Sequence, residues 1–135
     1  GQRGQYLYVV KPDDTVEHAE FLMHNGRMRH LPVVHHGKLV GLLTKSDIFR
    51  HRAQGPDEAL LVREVMVHDV LTATAPLPLR RAARLLYERK FGCLPVIDEH
   101  RAVVGILTET DFIRFAAEMA TELDRVEATA ARAAQ

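Results

Sequence analysis

Cysteine appears once in this chain of 135 residues, tryptophan not at all, and aromatics amount to five Phe and three Tyr. With Cys93 alone, no intrachain disulfide forms, so packing must hold the fold, and a reducing, cytoplasmic setting is the expected compartment. An excess of charge of either sign is lacking too. Lys plus Arg and Asp plus Glu number 18 each, for a formal net charge of zero. That balance argues against a bulk nucleic-acid or anionic-membrane footprint. No apolar run approaches the roughly 18 residues of a membrane span, and no signal-peptide pattern is visible. Paired cysteines, a His-x-x-x-His on a helix, a Gly-rich phosphate loop and a nucleophile elbow are all missing, so neither a metal site nor a catalytic centre is expected. The eight histidines do not change this: His35 and His36 are adjacent, and on a strand adjacent side chains point to opposite faces.

What is present is an ordinary globular composition, 47% apolar and 27% charged, enough for one compact domain or two small units sharing a core. Within it one segment occurs twice. Gly41-Leu42-Leu43-Thr44-Lys45-Ser46-Asp47 returns as Gly105-Ile106-Leu107-Thr108-Glu109-Thr110-Asp111. The aliphatic pair reads as the end of a buried strand, and Thr-x-x-Asp as the start of a helix. Two roles suit that junction. A Thr at the N-cap with an acid three residues on caps the helix; the same N-terminus, with its unpaired N–H groups, also holds a small polar ligand.

Around this segment the whole chain repeats. Leu7 to Val10 form a β-prone run that stops at Lys11-Pro12, and Asp14 or Thr15 caps a helix with Val16, Ala19, Leu22 and Met23 on one face. Asn25-Gly26 ends it. Leu31 to Val34 start a strand, His35-His36-Gly37-Lys38 turn it, and Leu39 to Leu43 return, with a short helix from Thr44 to about Arg52. The second copy has Val70 to Ala73 as strand, Leu79, Ala82, Leu85 and Leu86 as helix face, Leu94 to Ile97 as strand, Asp98 to Arg101 as turn and Ala102 to Leu107 as return. Pro32 and Pro95 stand 63 residues apart and Asp47 and Asp111 stand 64 apart, which places one extra residue in the second turn. The expected architecture is therefore α/β (α+β): two β-α-β-β-α units packed sheet to sheet with pseudo-twofold symmetry. Their bounds are 6–54 for the first repeat, 55–69 for the linker and lead-in turn, 70–117 for the second repeat and 118–135 for a helical extension. In the last helix Phe112, Ala116, Met119, Leu123, Val126 and Ala130 form a heptad-like seam. It packs either on its own unit or on a partner chain.

Leu-Pro-Val in each hairpin, the two Thr-x-x-Asp segments, and Val62-Arg63-Glu64-Val65-Met66 before the second copy together resemble the CBS-domain pair, or Bateman module, over roughly Leu7 to Phe115. The resemblance implies a non-catalytic regulatory module for adenosine-containing ligands, AMP, ADP, ATP or S-adenosylmethionine, in clefts between the repeats, and a homodimer. Carried over by position, it makes Asp47 and Asp111 acceptors for the ribose hydroxyls and Thr44, Ser46, Thr108 and Thr110 their polar neighbours. It sets Pro32, Val33, Pro95 and Val96, with Val9 and Leu71 of the first strands, around the adenine.

The repeats differ in charge. Arg27, Arg29 and His30 precede the first Leu-Pro-Val and Lys45 lies inside the first motif; Lys90, Gly92 and Cys93 stand at the matching places in the second, and Glu109 replaces Lys45. In modules this chain resembles, basic residues before Leu-Pro-Val reach phosphates. Arg29, His30 and Lys45 are thus expected in one phosphate-preferring site with Asp47. The alternative is a structural dimerisation module that binds no nucleotide and keeps the motif as a helix cap.

Overall fold

The computed structural model describes residues 7–55, 59–89 and 92–133. In the first half, helix α1 (Val16–Gly26), strands β1 (His30–His35) and β2 (Lys38–Thr44) and helix α2 (Lys45–Arg52) follow one another. One helical turn, α3 (Val62–Val65), leads to the second half: β3 (Ala73–Thr74), α4 (Leu79–Arg89), β4 (Cys93–Ile97), β5 (Val103–Thr108) and α5 (Glu109–Ala133).

This is the expected mixed α/β repeat, with two corrections at its first strands. Leu7 to Val10 is not a strand; only Val10 bridges, in parallel, to Val33. Its N–H donates to the Pro32 carbonyl at 3.0 Å and its carbonyl accepts from the Val34 N–H at 2.8 Å. The strand expected at 70–73 lies instead at Ala73–Thr74, parallel to β4 at the edge of a sheet ordered β3-β4-β5. Both segments are edges, where short pairing is the rule. They are nevertheless equivalent, since Ala73 faces Val96 as Val10 faces Val33, each partner 63 residues on.

The hairpins repeat more closely still. Pro32 pairs with Leu42 and Pro95 with Ile106, and the register slips at the same place in each, Val33/Val34 and Val96/Ile97. The first turn has His36 at φ 52° and Gly37 at φ 77°, the two positive values that a two-residue type I′ turn requires. The second turn, one residue longer, is organised by Asp98. Its Oδ1 accepts from the N–H of Ala102 at 2.9 Å and of His100 at 2.8 Å. The Ala102 N–H above all holds that carboxyl below its ordinary pKa.

Each half has its own apolar cluster. Val10, Val16, Ala19, Met23, Leu31, Val33, Leu43, Ile48 and Val62 form the first; Ala73, Ala82, Leu86 and Leu94 form the second, with Leu71, Leu77, Leu85, Leu107 and Phe112 packed on it. The helical stripes read from the sequence supply these contacts: α1 buries Val16, Ala19 and Met23, and α4 buries Ala82 and Leu86. Thr15 caps α1 by accepting the His18 N–H at 3.0 Å. The left-handed residue that closes α1 is Arg27, at φ 53°, and not the Gly26 before it. Leu39 and Arg101 join the halves: the Leu39 N–H donates to the Arg101 carbonyl at 2.9 Å, and the Arg101 guanidinium returns a bond to the Leu39 carbonyl at 3.2 Å.

The segment after α3 crosses onto the first sheet. Val67 pairs antiparallel with Leu42 through bonds of 3.0 and 2.9 Å. Gly41 allows that approach, because a Cβ there would stand 2.8 Å from Met66 Sδ and 2.9 Å from the Val67 carbonyl oxygen. At Gly105, the equivalent place, a Cβ would meet nothing within 4 Å. Helix α5 packs on its own half through half-buried Phe112; no described residue of the helix is fully buried, and from Ile113 every described one is exposed.

Candidate functional site: two clefts between the halves

Thr44 and Thr108 end β2 and β5 and begin α2 and α5. The Thr44 hydroxyl accepts the Asp47 N–H at 3.0 Å and donates to Asp47 Oδ2 at 2.7 Å. Thr108 Oγ1 accepts the Asp111 N–H at 3.2 Å, and Asp111 Oδ2 accepts the Thr108 N–H at 2.8 Å. Both motifs therefore cap their helices, as one of the two sequence readings has it. Each aspartate also pairs with an arginine one turn on: Asp47 with Arg50 at 2.7 Å and Asp111 with Arg114 at 2.8 Å. The Asp47 side chain is 17% exposed and that of Asp111 32%, so both retain access to solvent.

These junctions border two clefts. The larger, about 540 Å³, sets Leu7, Tyr8, Arg27, Met28, Arg29, His30 and Pro32 of the first half against Gly92, Ile106, Thr108, Glu109 and Thr110 of the second. It is called here the Arg29 cleft. The Asp47 cleft, about 390 Å³, sets Leu42, Asp47 and Arg50 against Val67, Asp69, Val70 and Cys93. His30, Thr44 and Ser46 line both and so form the wall between them. The clefts are copies of one another: Val70 lies 63 residues after Leu7, Cys93 lies 63 after His30, and Thr108 lies 64 after Thr44. Each combines the Thr-x-x-Asp end of one repeat with the lead-in and pre-Leu-Pro-Val segments that belong to the other.

The clefts do not gather the expected residues in the expected sets. Arg29 and His30 do not share a site with Asp47 and Lys45 as a set. Arg29 faces the second motif, His30 touches both clefts, and Lys45 lies outside them in a shallow dip with Arg27 and Arg29. Asp111 stands beside the Arg29 cleft, which its neighbours Thr108, Glu109 and Thr110 line. Of the residues expected around the adenine, only Pro32 lines a cleft. Val33 is buried in the first apolar cluster, Leu71 packs on the second, Pro95 is buried, Val96 is half-buried, and Val9 is 40% exposed, and none of the five borders either cleft. In β1, Leu31 and Val33 share the face that enters the first apolar cluster, because alternate strand residues point opposite ways. The apolar walls are instead Leu7, Tyr8 and Met28 on one side, and Leu42, Val67 and Val70 on the other. The 63-residue register already couples Leu7 with Val70, so the repeat itself held the signal for these.

Cys93 is 2% exposed, and burial pushes its thiol up to about 12. At pH 8 it is expected to stay protonated and resist a disulfide-exchange reagent in the folded chain, then react at once in denaturant. Equal labelling rates in the two states would contradict this. Among the described residues no three His, Cys, Asp or Glu side chains gather as a metal-holding group, and no helix is long and apolar enough to cross a membrane. The rings of His35 and His36 sit 3.9 Å apart at the hairpin tip, where the positive φ of His36 takes it out of the strand alternation.

The profile of the CBS domain matches residues 5–54 and 62–118, one match to each half. The chain belongs to the CBS-domain family. As a CBS pair it is 31% identical over 121 residues to MJ1225 of Methanocaldococcus jannaschii, which covers 81% of this chain and 43% of that protein. It is 33% identical over 107 residues to the inosine-5′-monophosphate dehydrogenase of Thermoplasma acidophilum, covering 79% of this chain and 21% of the enzyme. It thus spans less than half the length of either relative. Among solved CBS structures, CBSX2 in complex with AMP matches with a TM-score of 0.75 at 31% identity, covering 85% of this chain and 90% of that one. The CBS domain pair of MJ0100, in complex with 5′-methylthioadenosine and S-adenosyl-L-methionine, matches with a TM-score of 0.78 at 29% identity, covering 86% and 92%.

Proposed function

We propose that this CBS pair is a non-catalytic regulatory module that binds adenosine-containing ligands, AMP, ADP, ATP or S-adenosylmethionine, in the two clefts. The observation that carries the reading is the pairing just described, in which the Thr-x-x-Asp end of one repeat adjoins the other repeat: Asp47 meets Val67 and Val70, and Thr108 to Thr110, beside Asp111, meet Tyr8, Met28 and Arg29. In the Asp47 cleft the carboxylate spends two of its roughly four acceptor sites on Thr44 and Arg50, which leaves the rest for two ribose hydroxyls. Leu42, Val67 and Val70 offer apolar lining to a purine. The Arg29 cleft carries Arg27 and Arg29 against Glu109 and suits a phosphorylated ligand. The Asp47 cleft carries Asp47 and Asp69 against an Arg50 already bonded to Asp47, and suits a nucleoside with an uncharged tail. Similar CBS pairs that hold AMP and S-adenosyl-L-methionine support the ligand class. Such a ligand regulates by its differential affinity for two relative poses of the halves, or of two pairs in a dimer.

A thermal-shift panel of AMP, ADP, ATP, S-adenosylmethionine and NADH tests this. A ligand at a hundred times its Kd adds about 2.7 kcal/mol, which for a chain of this size raises Tm by roughly 10 °C. A panel that leaves Tm unmoved overturns the proposal.

One observation favours a second reading, a structural dimerisation module. Met119, Leu123 and Val126 of α5 are 55–60% exposed along one face. The helix carries six acids and three arginines, whereas α4 carries Arg80, Arg81, Arg84 and Arg89 against Glu88, so α4 and α5 of two copies are complementary in charge. An unmoved Tm together with a dimer mass by light scattering would select this reading over the first.

A further inference from the structure

The match to the CBS domain ends at residue 118, but α5 runs on to Ala133, about four more turns. At about 3.6 residues per turn Met119, Leu123, Val126 and Ala130 fall on one stripe, in line with Phe112, which packs on the second apolar cluster. Beyond that root the stripe is bare, with Met119, Leu123 and Val126 all more than half exposed. Single exposed aliphatics are ordinary, but a row of them in register over about three turns marks a contact face. The charges of the helix are sorted about this stripe. Glu122 and Glu127 flank it, one on each side, whereas Arg114, Arg125 and Arg132 fall toward the opposite face. From Glu118 to Glu127 four carboxylates stand against one arginine, and that one, Arg125, is bonded to Glu122 at 2.8 Å. Glu118, Asp124 and Glu127 have no ion pair among the described residues.

A second copy of this chain does not complement the face. Two α5 helices in parallel set Glu122 of each against Glu127 of the other. In antiparallel they set like residue against like, so carboxylate meets carboxylate either way. Helix α4 of a second copy supplies the charge, with Arg80, Arg81 and Arg84, but not the apolar row. It buries Ala82 and Leu86 in its own half, and its exposed large apolar side chains, Leu79 and Tyr87, stand more than two turns apart.

We propose that the far half of α5 is a docking face for a basic amphipathic helix of a different protein. That helix lays an aliphatic row, one residue every three or four, along Met119, Leu123 and Val126, and brings Lys or Arg on either side of the row to Glu122 and Glu127. The charges set which helix is accepted and in which register, and the apolar row supplies the attraction. The face lies apart from both clefts, so the proposal stands whether or not they hold a nucleotide. Helix α5 also begins on the wall of the Arg29 cleft, at Glu109 and Thr110, so one continuous helix joins that cleft to the docked partner.

Two labelled synthetic helices about three heptads long serve as probes, both with Leu along the apolar row, one with Lys at the flanking positions and the other with Glu. Fluorescence anisotropy with the full chain should show the Lys peptide binding about tenfold or more tightly than the Glu peptide, with the advantage shrinking as salt is raised. Glu122→Lys combined with Glu127→Lys should reverse the preference. Leu123→Asp should lose both peptides while Tm stays close to that of the wild type, because the side chain is exposed. The charge reversal keeps every apolar residue and so guards against fraying of the helix in Leu123→Asp. Equal binding of the two peptides, or binding of neither, overturns the docking face. A full chain that sediments as a dimer and becomes a monomer on Leu123→Asp overturns it too, since a second copy then covers the stripe.

Discussion

Asp47→Ala is expected to weaken adenosine binding in the Asp47 cleft by roughly ten- to a hundred-fold. A hydrogen bond to a charged acceptor is worth about 1.5–3 kcal/mol, and each 1.4 kcal/mol is a factor of ten. The substitution leaves the helix start largely intact, because the Thr44 hydroxyl caps α2 through the backbone N–H of residue 47, which alanine retains. What it removes from the folded chain is the Thr44 bond to Oδ2 and the ion pair with Arg50, whose side chain is 67% exposed. An ion pair so exposed contributes about 0–1 kcal/mol, so Tm falls little while affinity falls much. Asp111→Ala should act on the Arg29 cleft in the same direction and less strongly, since Asp111 stands beside that cleft and not on its wall. Calorimetry on the two variants reads these effects cleft by cleft. Wild-type affinity at both clefts in Asp47→Ala would remove the ribose role from this residue.

Gly41→Val should destabilise the chain by about 1–3 kcal/mol, the range for forcing extra atoms into a packed interior, whereas Gly105→Val should fall within about 0.5 kcal/mol of wild type. The two glycines occupy equivalent places in the repeat and differ only in what lies above them. At Gly41 the nearest atoms are the Met66 thioether and the Val67 carbonyl oxygen, and the second cannot yield without breaking the pair of bonds that joins Val67 to Leu42. At Gly105 the space is open, and neither glycine has the positive φ that would strain a side chain. Urea unfolding of both variants measures the contrast; equal midpoints would mean that Val67 is not held against β2 in solution. Because Val67 also lines the Asp47 cleft, Gly41→Val should lower affinity there as well.

What could be read from the sequence divides along physical lines. The hairpins were legible to within about a residue at each end, because turn chemistry is local: His36-Gly37 needs two positive φ values, and the extra residue after Asp98 had nowhere to go but the second turn. The helix starts at Thr44 and Thr108 were legible for the same reason. Strand pairing is not local, and so Leu7 to Val10, β-prone by composition, forms a single bridge at Val10. Val33 belongs to the first apolar cluster and Val96, its equivalent, is half-buried, and neither borders a cleft, which the sequence pattern alone does not show. The exchange of walls between the repeats was the hardest to see. Nothing in Arg29 or in Glu109 alone says that they border one cleft; only the folded chain, which sets the start of α5 against the segment before β1, brings them together.

The 25 residues of α5 rise about 37 Å end to end. Packed at Phe112 and exposed beyond it, the helix has the geometry of a lever. A tilt of about ten degrees at its root, too slight to notice between two packed halves, swings the far tip by roughly 6 Å over that length. On the proposed regulatory reading, a small ligand-driven tilt at the root of α5 would therefore reach its far end enlarged.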